Sequence, residues 1–423
     1  MGFMKTDNSR LLIGNAKQML TMRGDKNNDI GLIENGWLYA EKGVIKAVGN
    51  KEEVLAVAGD CTDAVKIEAS DRVVMPGFVD SHTHTVFGGS RVKEYAVKLT
   101  DERPETLEKL GIPTGIYASV NRTKDLPVEV LAAQAEKRMR HMLINGTTTL
   151  ESKSGYGLTL PAEMKMLEVN NLLSGILPID IVSCFLGGHG WTEGKDKDWY
   201  VDELCKEMIP QVASFHMAAF NDVWVDEGHF TAEDAYKILA AGKDYGLRST
   251  IHAEAYSYIG GTDVAIELGA ASAGHLNYTP DELFPKMRDA GVVGILLPGT
   301  DFAVKHPHPA EPRKWLDSGM TVGLATNCNP GCWNESMQFT VLLATRMSGM
   351  SAEEALRAAT YGSARALTLD DRGVLDEGKV ADILLLDVDT YEDVAYRYGS
   401  NHVDKVIKNG RIVVEDGKII EEE

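Results

Sequence analysis

Positive charge is under-represented in this 423-residue chain: 43 Lys and Arg stand against 63 Asp and Glu, a formal charge of −20. Nucleic acid and anionic membrane both demand a basic face, so the composition speaks against either as a partner. Long apolar runs are missing too. Nowhere do ~18 uncharged apolar residues follow one another, the length a spanning helix needs. The opening MGFMKTDNSR has no apolar stretch of signal-peptide type, because Asp7, Asn8, Ser9 and Arg10 interrupt it. Met1-Gly2-Phe3 can be read as a cloning remnant ahead of a native Met4. Cysteine is sparse: Cys61, Cys184, Cys205, Cys328 and Cys332 are odd in number and scattered, which suits a reducing compartment better than a disulfide scaffold. These absences point to a cytoplasmic protein acting on a small molecule.

What is present suffices for a large core, with 44% hydrophobic and 25% charged residues. Residues 1–72 alternate short apolar runs with turns (LLIGNAKQML, GWLYAEKGVIKAVGN), the pattern of a small sheet. Residues 370–423 repeat that character in ADILLLDV and VDKVIKNGRIVVEDGKII, with hairpin dipeptides at Asn409-Gly410 and Asp416-Gly417. The two chain ends are therefore expected to pair into one discontinuous β-sandwich. Between them, over 73–369, eight strand-like runs recur: VVMPGFVDSHTH, GTTTLES, IDIVSCFLGG, NDVWVD, RSTIHAE, AASAGHL, VVGILLPG and TVGLATN. Intervening segments have helical spacing, as in EVLAAQAEKRMRHMLING, where Val130, Leu131, Ala135, Met139, Met142 and Leu143 form the apolar stripe and Gly146 the stop. Eight strands with helical spacers, and no dinucleotide fingerprint after the first, predict an α/β fold of (β/α)8 TIM-barrel type over an open doubly wound sheet.

In such a barrel the C-terminal strand ends build the active site. Polar residues gather there. His82 and His84 are two apart at the end of the first run, and the period of two aims both into the same mouth. Later strand ends add Glu151, Lys153, His189, His252, Glu254, His275 and Asn327. A lone histidine at a strand end is ordinarily a hydrogen-bonded structural residue. Four separate strands ending in histidine, out of 11 in the chain, point instead to a metal centre, imidazole being a common ligand for zinc and related ions.

The segments PGFVDSHTHTVFGGSR, ESKSGYGLTLPAE, FLGGHG, IHAE, AGHL, LLPGT, LATNCNPG and GVLDEGKVADILLLD resemble the amidohydrolase superfamily and, within it, its imidazolonepropionase-like branch. The resemblance runs from residue 11 to the end. It implies a hydrolase that opens a small cyclic amide, an imidazolone-type lactam, with one zinc or iron ion per chain, and it implies a homodimer. Position by position, it makes His82, His84 and His252 metal ligands and His275 the group that polarises the attacked carbonyl. Arg91, Tyr156 and His189 fall on positions that hold the substrate and its carboxylate, as do Asn329 and Gly331 of the Asn329-Pro330-Gly331 turn. The expected ligand is thus an anionic cyclic amide. Arg91 suits that role through its rigid bidentate fork, with a structural ion pair as the alternative.

Two positions depart from the family pattern. The strand-eight aspartate, which touches the metal and accepts the proton from water, is here Asn327. An amide can lend an oxygen but takes up no proton at neutral pH. On strand five, His252 is followed by Glu254, and Ala255 occupies the family's glutamate position. The family's glycine-rich loop is also altered, in KLGIPTGIYASVNRT. Three readings of Asn327 stay open: an introduced Asp→Asn change, a natural inactive relative, or a native site that uses Glu254 or Asp301 as base. Two other functions remain as rivals, a deaminase of an aminated heterocycle and a non-catalytic ligand-binding relative. Cys328 and Cys332 read as small buried thiols, KHPHPAEPRKW as a loop over the mouth, and Lys153 as a polar group behind the site.

Overall fold

A computed structural model describes residues 10–420; the reading of Met1-Gly2-Phe3 as a remnant lies outside the described residues. All eight expected barrel runs contain a strand. In barrel order these are Phe78–Asp80, Thr147–Lys153, Asp180–Gly188, Phe220–Val225, Arg248–Ala253, Ser272–His275, Val293–Leu296 and Val322–Leu324, hydrogen-bonded in sequence order as one eight-stranded sheet. Each neighbouring pair is parallel, as crossover helices require.

The first run differs from expectation, because it breaks at Gly77 into two strands of two sheets. Val73–Pro76 pairs with Ile383–Leu386 antiparallel and with Gln18 and Met19 parallel, and only Phe78–Asp80 enters the barrel. Gly77 is required at the break, since a Cβ there would lie 2.2 Å from Thr148 Oγ1. Val73–Pro76 thereby stitches the two chain ends into one mixed nine-stranded sheet. The period of two then sorts its side chains. Val74, Ile383 and Leu385 pack with Leu11, Ile13, Leu38 and Ile407 inside the terminal sheet, whereas Val73, Met75, Leu384 and Leu386 join the barrel core.

The helix Val128–Ile144 buries Leu131, Ala135, Met139, Met142 and Leu143 as its spacing predicts. Val130 does not join them and is 40% exposed. It precedes Leu131 by one residue, about 100° around the helix and off the stripe. Gly146, at φ +98, turns the chain back into strand two. From the same helix, buried Arg138 donates Nε to Thr85 O at 2.9 Å and Nη2 to Phe87 O at 2.9 Å, and so fixes the loop that follows His84.

Leu384, fully buried between the terminal sheet and the barrel, should be a stability hot spot. Leu384→Ala is expected to cost ~2–5 kcal/mol in chemical denaturation through lost burial and the cavity left behind; an unchanged midpoint would mean the two layers do not stabilise each other.

Candidate active site

The barrel mouth opens into a cavity of about 910 Å³ lined by His84, Arg91, Tyr156, His189, His252, His275, Asn327, Asn329 and Gly331, among others. The first strand ends at Asp80, and the segment just beyond it supplies the first two histidines. Thr83 turns toward strand two, where its N–H donates to Glu151 Oε2 at 3.1 Å and its hydroxyl to Glu151 O at 2.5 Å. His82 and His84, on either side of it, turn inward and are joined to the strand-eight extension: Asn327 N–H donates to His82 O at 3.0 Å, and His84 N–H to Cys328 O at 2.9 Å.

His252 comes from strand five. Its Nε2 lies 3.1 Å from His82 Nε2, and candidate ligand atoms of His82, His84 and His252 all lie within 4.8 Å of one another. Tetrahedral bonds of ~2.0–2.1 Å to imidazole nitrogen place neighbouring ligand atoms ~3.3 Å apart, so the geometry fits a divalent ion. The donor chemistry fits as well. Burial first, and then Lys153 or the neighbouring imidazoles, hold His82 and His84 well below their ordinary pKa, which keeps a ring lone pair on each. Asn327 Oδ1 is buried without a hydrogen-bond partner, while its amide Nδ2 donates to Thr300 Oγ1 at 2.8 Å. Asn327 sits at φ +48, a left-handed conformation that asparagine tolerates.

His275, on strand six, has its ring 5.4 Å from that of His252 and 5.9 Å from that of His82; burial keeps it neutral as well. His189 stacks on His84 with centroids 5.1 Å apart. Its Nδ1 lies 3.1 Å from Gly155 O. A carbonyl only accepts, so Nδ1 carries the proton and Nε2 the lone pair. Burial lowers its pKa to about 3. Tyr156 is buried beside both rings, and burial raises its phenol above the ordinary value.

Arg91 lines the cavity, but its fork is already engaged: Nε and Nη2 donate to Glu94 at 2.6 and 2.7 Å, and Lys98 Nζ adds a third contact at 2.7 Å. Burial would raise the Glu94 carboxyl, yet these bonds outweigh it and hold it below its ordinary value. Asn329 Oδ1 accepts from Gly331 N and Cys332 N at 2.8 and 2.9 Å and its Nδ2 donates to Asn327 O at 2.7 Å, so its side chain shapes the turn. Gly331 faces Arg91, and a Cβ there would come within 3.3 Å of Nη1.

Glu254 is not brought to the cavity, contrary to the expectation that it could act as base. At φ +53 it turns to the start of the helix Gly261–Leu268. There its carboxylate accepts from Gly261 N at 2.6 Å, Thr262 N at 3.1 Å and the Thr262 hydroxyl. The positive end of the helix and these donors satisfy the buried charge better than the apolar wall of the mouth would. Ala255 lines the cavity in its place. Asp301 does line it, but it accepts from Asn277 Nδ2 and Ala310 N at 3.0 Å each. His306 closes one wall with both ring nitrogens engaged, Nε2 on Ala255 O at 2.9 Å and Nδ1 accepting from His308 N at 3.1 Å, and among the described residues His82, His84 and His252 are the one metal-competent group.

Sequence reasoning passed over Asp222 and Glu94. Asp222 sits inside strand four, with Oδ2 3.0 Å from His252 Nδ1 and 2.8 Å from Lys153 Nζ, ion-pair contacts without good hydrogen-bond alignment. Its place in NDVWVD, two residues ahead of Trp224 at the cavity wall, was the available signal.

The amidohydrolase family model matches residues 73–413. The chain belongs to the amidohydrolase family. It is thus a metal-dependent hydrolase of carbon–nitrogen bonds, and the histidine cluster has the geometry to hold a metal ion. This amidohydrolase is 39% identical to the imidazolonepropionase of Geobacillus kaustophilus (strain HTA426), over 97% of this chain and 99% of that protein. It is equally 39% identical to that of Brevibacillus brevis (strain 47 / JCM 6285 / NBRC 100599), over 96% and 98%. Among solved structures, a triazine hydrolase variant aligns with TM-score 0.72 at 19% identity, covering 98% of this chain and 96% of that one. A zinc-bound adenosine deaminase from Xanthomonas campestris aligns with TM-score 0.71 at 16%, covering 98% and 94%. These two share the fold. Among the described residues no helix is long and apolar enough to cross a membrane.

Because Glu254 serves a helix start and not the cavity, Glu254→Gln is expected to lower unfolding free energy by ~1–3 kcal/mol while zinc uptake stays as in the parent protein. Unchanged stability with lost zinc uptake would return Glu254 to the site.

Proposed function

We propose that this amidohydrolase opens a small anionic cyclic amide of the imidazolone type, using one zinc or iron ion per chain on His82, His84 and His252. The observation that carries this reading is the near-complete, 39% identical match to imidazolonepropionases. When bound, the ion supplies Lewis acidity and brings the pKa of a coordinated water toward ~7. The chain's own residues do the rest. Neutral His275 offers an N–H to the carbonyl oxygen as charge develops there. His189, its proton fixed on Nδ1 by Gly155 O, presents Nε2 as an acceptor for a ring N–H, and Tyr156 offers its hydroxyl. With Nε and one N–H of Nη2 of Arg91 held by Glu94, three of the five guanidinium donors are left for the substrate's carboxylate, two of them on Nη1 beside Gly331.

The proton acceptor is the weak point. Asn327 is not a base, Glu254 is turned away, and Asp301 is engaged with Asn277 and Ala310. Neither candidate carboxylate, Glu254 or Asp301, is free of hydrogen-bond donors, and we propose a site that binds well and turns over slowly. We take the protein to be a cytoplasmic homodimer whose barrel spans 73–369, flanked on either side in sequence by the two halves of the sandwich.

Metal-depleted protein titrated with zinc should take up ~1 ion per chain, and His82→Ala should largely abolish uptake; two tightly held ions would contradict a single-metal site. Asn327→Asp should raise the hydrolysis of imidazolones, hydantoins or related lactams by ~10²-fold or more at matched metal content, with binding little changed. If the aspartate form is no faster on any compound that binds, position 327 is not where the base is missing.

A further inference from the structure

We infer that the buried pair Asp222 and Lys153 is a positioning device for the metal ligand His252. This rests on reading His252 as a ligand, and it concerns residues that neither line the cavity nor belong to the histidine cluster. Asp222 is 0% exposed on strand four and Lys153 is 1% exposed at the end of strand two. Asp222 Oδ2 stands 3.0 Å from His252 Nδ1 and 2.8 Å from Lys153 Nζ, while Oδ1 accepts from Val223 N at 2.7 Å. Lys153 also contacts Glu151. Three strands are therefore tied together beneath the mouth by one carboxylate and one ammonium.

The two nitrogens of His252 face opposite ways. Nδ1 meets Asp222, and Nε2 points to His82 Nε2 at 3.1 Å. A carboxylate on Nδ1 leaves Nε2 as the lone-pair nitrogen, fixes the ring's rotation, and makes it a better donor to a cation. Nδ1 is buried without a hydrogen-bond partner in all three ligands, but among the described residues only that of His252 has a carboxylate in ion-pair range. Lys153 holds the carboxylate from the far side. Without it, Asp222 would have only His252 and the Val223 amide to meet.

The alternative is an ion pair that stabilises the barrel and does nothing for the metal. Lys408 and Asp382 provide the comparison, being an equally buried pair, 2.6 Å apart at 4% and 3% side-chain exposure. Lys408 ends a strand of the terminal sheet, Asp382 directly precedes another, and Lys408 also reaches Asp180 at the start of barrel strand three, with none of the three lining the cavity. Zinc affinity, read by competition with a chromophoric chelator, and the visible spectrum of the cobalt-substituted protein separate the cases. Asp222→Asn and Lys153→Met should each weaken zinc binding by ~10–100-fold and shift the cobalt bands, whereas Asp382→Asn should lower the melting temperature and move neither. Asp222→Asn is nearly isosteric; should it not fold, Lys153→Met is the variant read. A folded Asp222 or Lys153 variant with parental zinc affinity and an unchanged cobalt spectrum overturns the positioning role. A parent protein that takes up no zinc at all overturns the metal reading itself, and the positioning role with it.

Discussion

Between the first barrel strand and the eighth, one buried carboxylate makes the join. Asp80 accepts from Thr326 N at 3.0 Å and Thr326 Oγ1 at 2.6 Å, and the backbone bonds of Asn327 to His82 and of His84 to Cys328 extend the seam outward. Burial raises the Asp80 carboxyl to about 7 against the pull of those donors, a measure of how far from water the seam lies. The active site depends on it. His82 and His84 are not within a hydrogen-bonded strand, which ends at Asp80; the seam ties their backbone to the extension of strand eight and sets Asn327 beside them. Arg138 continues the work from outside, fixing Thr85 and Phe87.

Charge around the cavity is arranged in pairs. Arg91 and Lys98 meet Glu94, and Lys305 meets Glu102 at 2.8 Å. The exposed Lys305–Glu102 pair contributes little to stability, but together with the group around buried Glu94 it leaves the mouth with little unbalanced charge of its own. At the floor, burial keeps three imidazoles uncharged. A desolvated imidazolium would be costly in such surroundings, so the site favours neutral donors with available lone pairs, the state a cation requires.

Much of this was legible from residue order. Eight strands could be counted because parallel barrel strands are buried on both faces and stand out as short apolar runs between helical spacers. The histidines stood out because strand ends converge in a barrel. What escaped depends on contacts remote in sequence or on backbone turns. The split at Gly77 is decided by Thr148 on the neighbouring strand, and the support of the His84 loop by Arg138, a residue 53 positions from the carbonyl of Thr85. Glu254 is adjacent to Ala253 and two from His252, yet a left-handed backbone sends it to a helix start instead of the mouth. Arg91 forms the ion pair that was its alternative reading, with Glu94 three residues on, and still lines the cavity.

The central claim is that one ion on three imidazoles faces a cavity built for a cyclic amide. Anomalous diffraction at the zinc edge, from crystals grown with zinc and soaked in an imidazolone or hydantoin carboxylate, tests it most directly. The account predicts a single strong peak bound by His82, His84 and His252, with Nε2 of His82 and His252 as donors, and the ring amide between it and His275 and His189. A peak elsewhere in the chain, or an amide that binds without approaching the three histidines, would contradict it.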